Sequence, residues 1–260
     1  MARAGLVAAV IAILAFLFAP IAIIAVYAFS ASNIQGWPVA AFSTRWFAAT
    51  WADAEVRAAL LLSIELAVLA TVCAVLLGTL TALAVHRMRA GGREIVQFAV
   101  VLPIALPGVL TGMAMASYFS FWDVPLSFWT IVAGHTTFCV VIVYNNVIAR
   151  LRRLPASWAE ASLDLGAGPW RTFRLITLPM LASAVGAGAL LSFALSFDEV
   201  IVTTFTAGAQ TTLPLWIFGA IRLGQHLPEV NVIVLVVILL TAVPVILAQR
   251  AMGGAGALHR

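Results

Sequence analysis

Three acidic residues lie inside long apolar runs of the sequence: Glu65, Asp198 and Glu199. A carboxylate in hydrocarbon is costly, so such residues are expected to face the interior of a helix bundle or a water-filled cavity and to serve a function there. A cationic solute would compensate their charge. For Glu65, a hydrogen bond to a neighbouring helix is an equally good explanation.

A stripe of polar residues accompanies the acidic pair. Its members recur at i, i+4, i+7 and i+11, the spacing of one face of a continuous helix: Ser192, Ser196, Glu199 and Thr203. This face is predicted to line a solute path or its gate. Asp198 lies about 100° around the helix from Glu199, so one carboxylate is expected to face the path and the other a partner helix or gate. The alternative is an interhelical or interfacial bond near the outer end of the span, where a charge costs less.

His135 and the pair Asn145 and Asn146 lie in another apolar run. The spacing of His135 to Cys139 alone makes no zinc or copper site, so His135 is expected to bond across helices. The two amides are expected to bond a neighbouring helix as well, because amides hold helices together where water is scarce. Cys139 and Cys73 are each expected to behave as small hydrophobic residues.

The motifs of several function classes are missing from the sequence. All fourteen basic residues are arginines, so the chain has neither a Walker A loop nor a Schiff-base lysine. It also lacks the H-E-x-x-H and G-x-S-x-G motifs, and no enzyme is expected. The net charge of +4 comes from arginines scattered between apolar runs. They make no continuous basic face, so nucleic acid is not expected as a partner.

The elements that must position these residues are membrane helices. At 63% hydrophobic and 9% charged, the chain is far more apolar than a soluble domain. A helix crosses the hydrocarbon core with about 20 apolar residues. Uncharged runs of this length predict six spans within one all-α domain covering residues 1–260, at about 5–28, 58–85, 95–121, 128–149, 181–205 and 230–248.

The placement of the arginines predicts the orientation of these spans. Eleven fall on one side of the six-span arrangement, and three, namely Arg45, Arg57 and Arg222, fall on the other. Basic residues favour the cytoplasmic side, so both termini are predicted to be cytoplasmic.

The segment 150–180 is too polar to span a membrane, and its pattern indicates ordered structure. Ser157 and Glu160 have capping-box spacing, which predicts that a short helix begins at Ser157. Gly166 is predicted to end that helix in the left-handed conformation, and Pro169 to begin a second helix outside the membrane. An ordinary connection between two helices would explain these four residues, but not why so elaborate a loop stands between two spans.

At these residues the sequence resembles the permeases of binding-protein-dependent ATP-binding-cassette importers. The cytoplasmic loop of that family carries the pattern E-A-A-x3-G-x9-I-x-L-P, and the spacing here matches it throughout. Ser162 is the one departure, since it stands where the family has its second alanine. The pattern falls on Glu160, Ala161, Ser162, Gly166, Ile176, Leu178 and Pro179.

The resemblance implies a type I importer permease fold with six transmembrane helices, in which this loop forms coupling helices that sit in a cleft of the ATPase subunit. It implies a heterodimer with a related permease, two ATPase subunits that bind ATP and magnesium, and an extracytoplasmic solute-binding protein. The location would be the bacterial inner membrane. The chain itself would hold no cofactor and would form half of an alternating-access path.

Further motifs narrow the resemblance to the second permease subunit of putrescine/spermidine-type importers. They are L-P-I-A-L-P-G at 102–108, G-H-T-T-F at 134–138, S-F-D-E-V at 196–200, and T-L-P at 212–214 followed by P-E-V-N at 228–231. The implied cargo is a small cation, a polyamine. Another amine, an amino-acid-like solute or a phosphonate stays open, and an ion-coupled secondary transporter is the alternative outside this class.

Overall fold

The computed structural model describes the backbone of residues 2–256, and the side chains of that range except at residues 2, 4, 90, 156, 159 and 243–256. This part of the chain is mostly helical and forms no β-strand, which confirms the all-α prediction. The helices are α1 (Ala2–Ala28), α2 (Arg45–Ala52), α3 (Ala54–Arg87), α4 (Ala90–Ala105), α5 (Gly108–Phe121), α6 (Phe128–Leu151), α7 (Ala156–Asp164), α8 (Pro169–Thr172), a π-helical turn (Phe173–Thr177), α9 (Leu178–Phe197), α10 (Ile201–Thr206), α11 (Leu213–Leu223) and α12 (Leu227–Gly256).

Within the described residues, four helical segments are long and apolar enough to cross a membrane. They are Gly5–Ala28, Ala54–Arg87, Phe128–Leu151 and Pro169–Phe197. The first three coincide with predicted spans, so the prediction of a membrane protein with several apolar helices is confirmed. The count of six stays a prediction, because α4 with α5 forms a bent pair and Leu227–Ala242 is shorter than the four.

The predicted third span, 95–121, is not one straight helix. α4 and α5 meet at 103°, with a break at Leu106 and Pro107. Pro107 has no N–H to donate to the carbonyl of Pro103 one turn earlier, and its ring pushes Leu106 into an extended conformation. The run of uncharged residues in the sequence gives no sign of this break, because only the proline imposes it.

The predicted fifth span, 181–205, also differs from the structure. α8, the π-helical turn and α9 run without interruption over Pro169–Phe197, so the second loop helix and the span are one segment. The π-helical turn lies just before Pro179, and the N–H of Leu178 bonds the carbonyl of Phe173 five residues back. The wider turn relieves the clash between a proline ring and the preceding turn, so the helix continues.

By its internal contacts the chain divides into two compact units. The first contains the residues up to Ala58 and those from Ile217 onward. In it, α12 packs against α1 and α2. Arg45, at the start of α2, donates to the carbonyl of Ala31 at 2.6 Å and stacks over the ring of Trp46 at 4.4 Å. The segment between α1 and α2 is thus held in a defined conformation.

The second unit, residues 59–216, is built around α6. This helix contacts α4, α5, α9 and α10, and its buried side chains form much of the core. α3 approaches it closely at Gly78. A Cβ atom added there would lie 2.9 Å from the carbonyl oxygen of Val140 and 2.9 Å from the Cβ of Val143. The approach therefore depends on the missing side chain.

Replacing Gly78 with alanine tests this close approach. The added methyl group forces the two helices apart, and such overpacking costs about 1–3 kcal/mol. Gly186→Ala in α9 is the matched control, because a Cβ there meets no described atom within 4 Å and alanine favours a helix over glycine by about 1 kcal/mol. We expect Gly78→Ala to lower the melting temperature of the purified protein and Gly186→Ala to leave it unchanged or raise it. Equal melting temperatures would contradict the packing.

Candidate functional site

α6 meets α9 and α10 along a line of buried polar residues, named here the polar seam. An unpaired polar group in an apolar interior is costly, so these groups are expected to bond one another. The seam consists of Thr130, His135 and Cys139 on α6, Ser192 and Ser196 on α9, and Thr203 and Thr206 on α10.

His135 lies at the centre of the polar seam. Its Nδ1 is 2.8 Å from Oγ of Ser196, and its Nε2 is 2.8 Å from Oγ1 of Thr203. The hydroxyl of Thr203 donates to the carbonyl of Glu199 at 2.7 Å, so its oxygen accepts from the ring. These donors assign the neutral tautomer with hydrogen on Nε2, and the hydroxyl of Ser196 then donates to Nδ1. The prediction that His135 bonds across helices is confirmed.

Two further contacts extend the seam above and below the histidine. The thiol of Cys139 donates to the carbonyl of Ser192 at 3.4 Å, and the hydroxyl of Ser192 donates to the carbonyl of Cys139 at 3.2 Å. The hydroxyl of Thr130 lies 2.7 Å from the carbonyl oxygen of Thr206. The seam therefore holds α9 and α10 to α6 through side chains and main chain together.

The polar stripe of the sequence is divided between two helices. α9 ends at Phe197 and α10 begins at Ile201, so the prediction of one continuous helix is wrong. The side chain of Glu199 stabilises the start of α10 after the break, since its Oε1 accepts the N–H of Val202 at 2.9 Å in the first turn of that helix. A carboxylate is favoured at a helix start, where backbone N–H groups lack partners. The stripe's two serines and Thr203 face α6, whereas Asp198 is exposed.

Both helix breaks border one cavity of about 180 Å³, named here the junction cavity. The break between α4 and α5 contributes Pro103, Leu106 and Thr111, and the break between α9 and α10 contributes Glu199 and Val202. Glu199 alone is charged among the described residues that line it. A half-buried carboxylate thus faces a small, largely apolar space where two interrupted helices meet.

The other polar residues predicted to bond a neighbouring helix are Asn145, Asn146 and Glu65. Nδ2 of Asn146 donates to the carbonyl of Ile142 in its own helix at 2.9 Å, so the expected bond to a neighbouring helix is wrong for this amide. Asn145 is exposed. Glu65 is also exposed, on α3, and none of the described residues bonds it, so its expected hydrogen bond to a neighbouring helix is absent from the described part of the chain.

The loop 150–180 begins differently from its prediction. α7 starts at Ala156, and none of the described side chains caps it. The predicted capping box between Ser157 and Glu160 is therefore wrong. Pro155 occupies the N-cap position with an extended backbone, at φ −63° and ψ 125°. Ser157 consequently falls inside the first turn, where its hydroxyl cannot act as the cap.

The turn after α7 has the predicted form. Gly166 has a φ of +80°, and its N–H donates to the carbonyl of Leu163 at 2.9 Å. The N–H of Ala167 donates to the carbonyl of Ser162 at 3.1 Å. This pair of bonds is the Schellman motif, which needs a left-handed residue and therefore favours glycine. Pro169 is the first residue of α8, also as predicted.

One contact in the loop was missed by sequence reasoning. The hydroxyl of Ser162 lies 3.0 Å from the hydroxyl of Thr172, which is buried. Ser162 is the residue that departs from the family pattern, and its hydroxyl ties α7 to α8. No local signal marks this pair, because the two residues are 10 positions apart across a turn.

A groove with a volume of about 830 Å³, named here the loop groove, lies between α7 and the segment of α8 and α9. Leu165 at its edge is 89% exposed, and Trp158 is 54% exposed. Large apolar side chains exposed together mark a contact surface. Of the pattern residues, Ala161, Ser162, Ile176 and Pro179 line the groove, and Glu160, Gly166 and Leu178 are exposed.

Comparisons with known proteins agree on one class. Residues 74–253 match the family described as binding-protein-dependent transport system inner membrane component. The chain is 36% identical over 225 residues to the putrescine transport system permease protein PotI of Escherichia coli (strain K12), covering 83% of this chain and 79% of that protein. It is 34% identical over 243 residues to the spermidine/putrescine transport system permease protein PotC of the same strain, covering 92% and 90%.

The fold is similar to a chain in a crystal structure of a bacterial ABC transporter involved in the import of the acidic polysaccharide alginate. The TM-score is 0.72, and the likeness covers 95% of both chains at 16% sequence identity. At this identity the likeness concerns the fold and says nothing about the cargo.

Replacing His135 with alanine tests the polar seam. The hydroxyl of Ser196 loses its acceptor, and an unsatisfied buried group costs about 1–3 kcal/mol. Thr203 keeps its bond to the carbonyl of Glu199 but loses the link to α6. We expect a clearly lower melting temperature for the purified protein. His86→Ala is the control, because His86 is exposed and such changes stay within about 0.5 kcal/mol. If the two variants melted alike, the seam would not be what holds these helices.

Proposed function

The chain belongs to the family of binding-protein-dependent transport system inner membrane components, and we propose that its cargo is a small organic cation, a polyamine such as putrescine or spermidine. The observation that carries this proposal is the likeness of the chain to PotI and PotC. The chain is 36% identical to PotI and 34% identical to PotC, over most of each protein. The carboxylate of Glu199 in a largely apolar cavity supports it, since a cation would offset that charge.

For the topology we propose six crossings with both termini in the cytoplasm. The crossings are α1, α3, the bent pair of α4 and α5, α6, α9 and α12. The excess of arginines on one side of this arrangement supports the orientation. α2, α10 and α11 are too short to cross by themselves, since a span needs about 20 residues.

For the assembly we propose a complex with a related permease, two ATPase subunits that bind ATP and magnesium, and an extracytoplasmic solute-binding protein. α7 and α8 act as the coupling helices, and the loop groove receives the ATPase subunit. The exposure of Leu165 and Trp158 supports this contact, because apolar side chains at such a surface are covered in an assembly. The chain itself carries no part of ATP hydrolysis.

The geometry also suggests how a movement of the ATPase reaches the membrane. The Schellman turn at Gly166 and the bond between Ser162 and Thr172 hold α7 against α8. α8 continues into α9 without a break as far as Phe197. A displacement of the loop would therefore move one rigid segment whose far end adjoins Glu199. Alternating access then follows as ATP binding and hydrolysis shift this segment between two positions.

A matched pair of serine substitutions tests the coupling loop. Gly166→Ser places a side chain at a φ of +80°, which costs about 1–2 kcal/mol and distorts the turn that orients α8. Gly168→Ser is the control, because Gly168 has a φ of −68° at the N-cap of α8, where serine is favoured. We expect Gly166→Ser alone to reduce both co-purification of the ATPase subunit and solute uptake. Equal co-purification in the two variants would contradict the docking.

ATP-dependent uptake by proteoliposomes tests the cargo. The complete complex with its binding protein should take up radiolabelled putrescine or spermidine when ATP is enclosed, and an ion gradient should not replace ATP. Glu199→Gln keeps an oxygen for the N–H of Val202 and deletes only the charge. A lost charged contact is worth about 1.5–3 kcal/mol, so uptake should fall about tenfold to a hundredfold. Asp198→Asn should reduce uptake less, because Asp198 lies outside the junction cavity.

Glu94→Gln, at an exposed carboxylate on α4, is the control for these two variants and should transport normally. Assembly of each complex is checked by co-purification of all subunits. Wild-type uptake by the Glu199→Gln complex would reject the role of this carboxylate. Uptake driven by an ion gradient without ATP would reject the importer itself.

A further inference from the structure

We propose that the junction cavity binds one ammonium group of the cargo, with the carboxylate of Glu199, the carbonyl of Pro103 and the hydroxyl of Thr111 as its three acceptors. The proposal rests on the amine cargo argued above and assigns it a site. Each acceptor has bonding capacity that the described residues do not use. An ammonium group, with its three N–H donors, matches the three of them.

The carboxylate of Glu199 supplies the charge. Its Oε1 accepts the N–H of Val202, and none of the described residues bonds its Oε2. The other described residues that line the cavity are uncharged. A carboxylate with one unpaired oxygen in such surroundings lacks a counter-ion, and a cation is the ligand that supplies it.

The carbonyl of Pro103 supplies a second acceptor because of its spacing to Pro107. In a continuous helix this carbonyl would accept an N–H from the residue four positions later, but Pro107 has none. The carbonyl end of a helix carries a partial negative charge, which favours a cation. α9 also ends beside the cavity, where Leu195 contributes to the lining. Two negative helix ends therefore adjoin the carboxylate.

The hydroxyl of Thr111 is the independent sign of a missing ligand. Thr111 is only 9% exposed and lines the junction cavity. Its Oγ1 has no hydrogen-bond partner among the described residues. Several buried side-chain oxygens among the described residues lack a partner, and of these only that of Thr111 belongs to a residue that lines the junction cavity. Buried hydroxyl groups are usually bonded, so a donor bound in this cavity would satisfy it.

The surroundings of the site select the class of ligand. An adjoining cavity of about 280 Å³ shares Pro103, Leu106 and Thr111 with the junction cavity and is also lined by Met115 and Tyr118. Its apolar walls suit the methylene chain of an alkyl amine. Among the described residues, the two linings contain no arginine or histidine. An anion such as a phosphonate would meet acceptors and a carboxylate, so the site favours an alkyl diamine over it.

Equilibrium titration of the assembled complex tests the site. The permeases with their ATPase subunits, without the binding protein, are titrated with 1,4-diaminobutane by calorimetry. We expect saturable binding that Glu199→Gln weakens about tenfold to a hundredfold and Thr111→Val weakens about threefold to tenfold, the ranges for a charged and a neutral hydrogen bond. Thr111→Ser, which keeps the hydroxyl, should bind like the wild type.

Thr136→Val is the matched control for Thr111→Val. Thr136 is also 9% exposed, and its hydroxyl also lacks a partner among the described residues, but it is not part of the cavity lining. Removing an unbonded hydroxyl costs the folded protein nothing, so both variants should keep or raise the melting temperature. Only Thr111→Val should lose affinity. Equal affinities in the two valine variants would overturn the proposal.

A second measurement uses the wild-type complex alone and so does not depend on any variant folding. The bis-quaternary analogue, 1,4-bis(trimethylammonio)butane, keeps both charges and has no N–H. Three acceptors of N–H groups should reject it, and its affinity should be at least about tenfold lower than that of the diamine. Equal affinities would overturn the proposal. Uptake of putrescine that Thr111→Val leaves unchanged would overturn this site and leave the proposed cargo standing, whereas absence of uptake in the wild type would reject the cargo.

Discussion

A single buried imidazole determines the position of two helices in the second unit. His135 must satisfy both ring nitrogens inside the protein, because no water competes for them in an apolar interior. Its partners stand on opposite sides of a break, with Ser196 in α9 and Thr203 in α10. The distance between these two helix ends is therefore fixed by the width of one ring. The residues Asp198–Val200 must bridge that distance, which directs Glu199 toward the junction cavity.

Two prolines shape the same unit with opposite results. Pro107 ends α4, and the chain turns by 103° into α5. Pro179 lies within a helix that continues, because the π-helical turn before it makes room for the ring. The first proline leaves a carbonyl without its helical donor beside the junction cavity. At the second proline the helix from the loop groove to the end of α9 stays continuous. The break at Pro107 therefore serves binding, and the continuity at Pro179 serves the transfer of movement from the loop.

The features that could be predicted from the sequence are those that local preferences decide. Gly166 and Pro169 occupy their predicted positions because a left-handed turn and a first helical residue each favour one residue type. The partners of His135 were not predictable, since they lie 61 and 68 residues away in the sequence. The break at Glu199 was missed for another reason. The spacing that brings its carboxylate to the N–H of Val202 fits a continuous helix equally well.

The proposed ammonium site is suited to passage rather than to storage. A transport site must bind its cargo well enough to admit it and weakly enough to release it. Glu199 already shares one oxygen with the N–H of Val202, and this bond offsets part of the attraction that a free carboxylate would exert. Both helix breaks border the cavity, so a shift of α9 relative to α5 changes the distance between Glu199 and Thr111. Release then requires only that one of the three acceptors move away, which a rigid segment driven from the loop can accomplish.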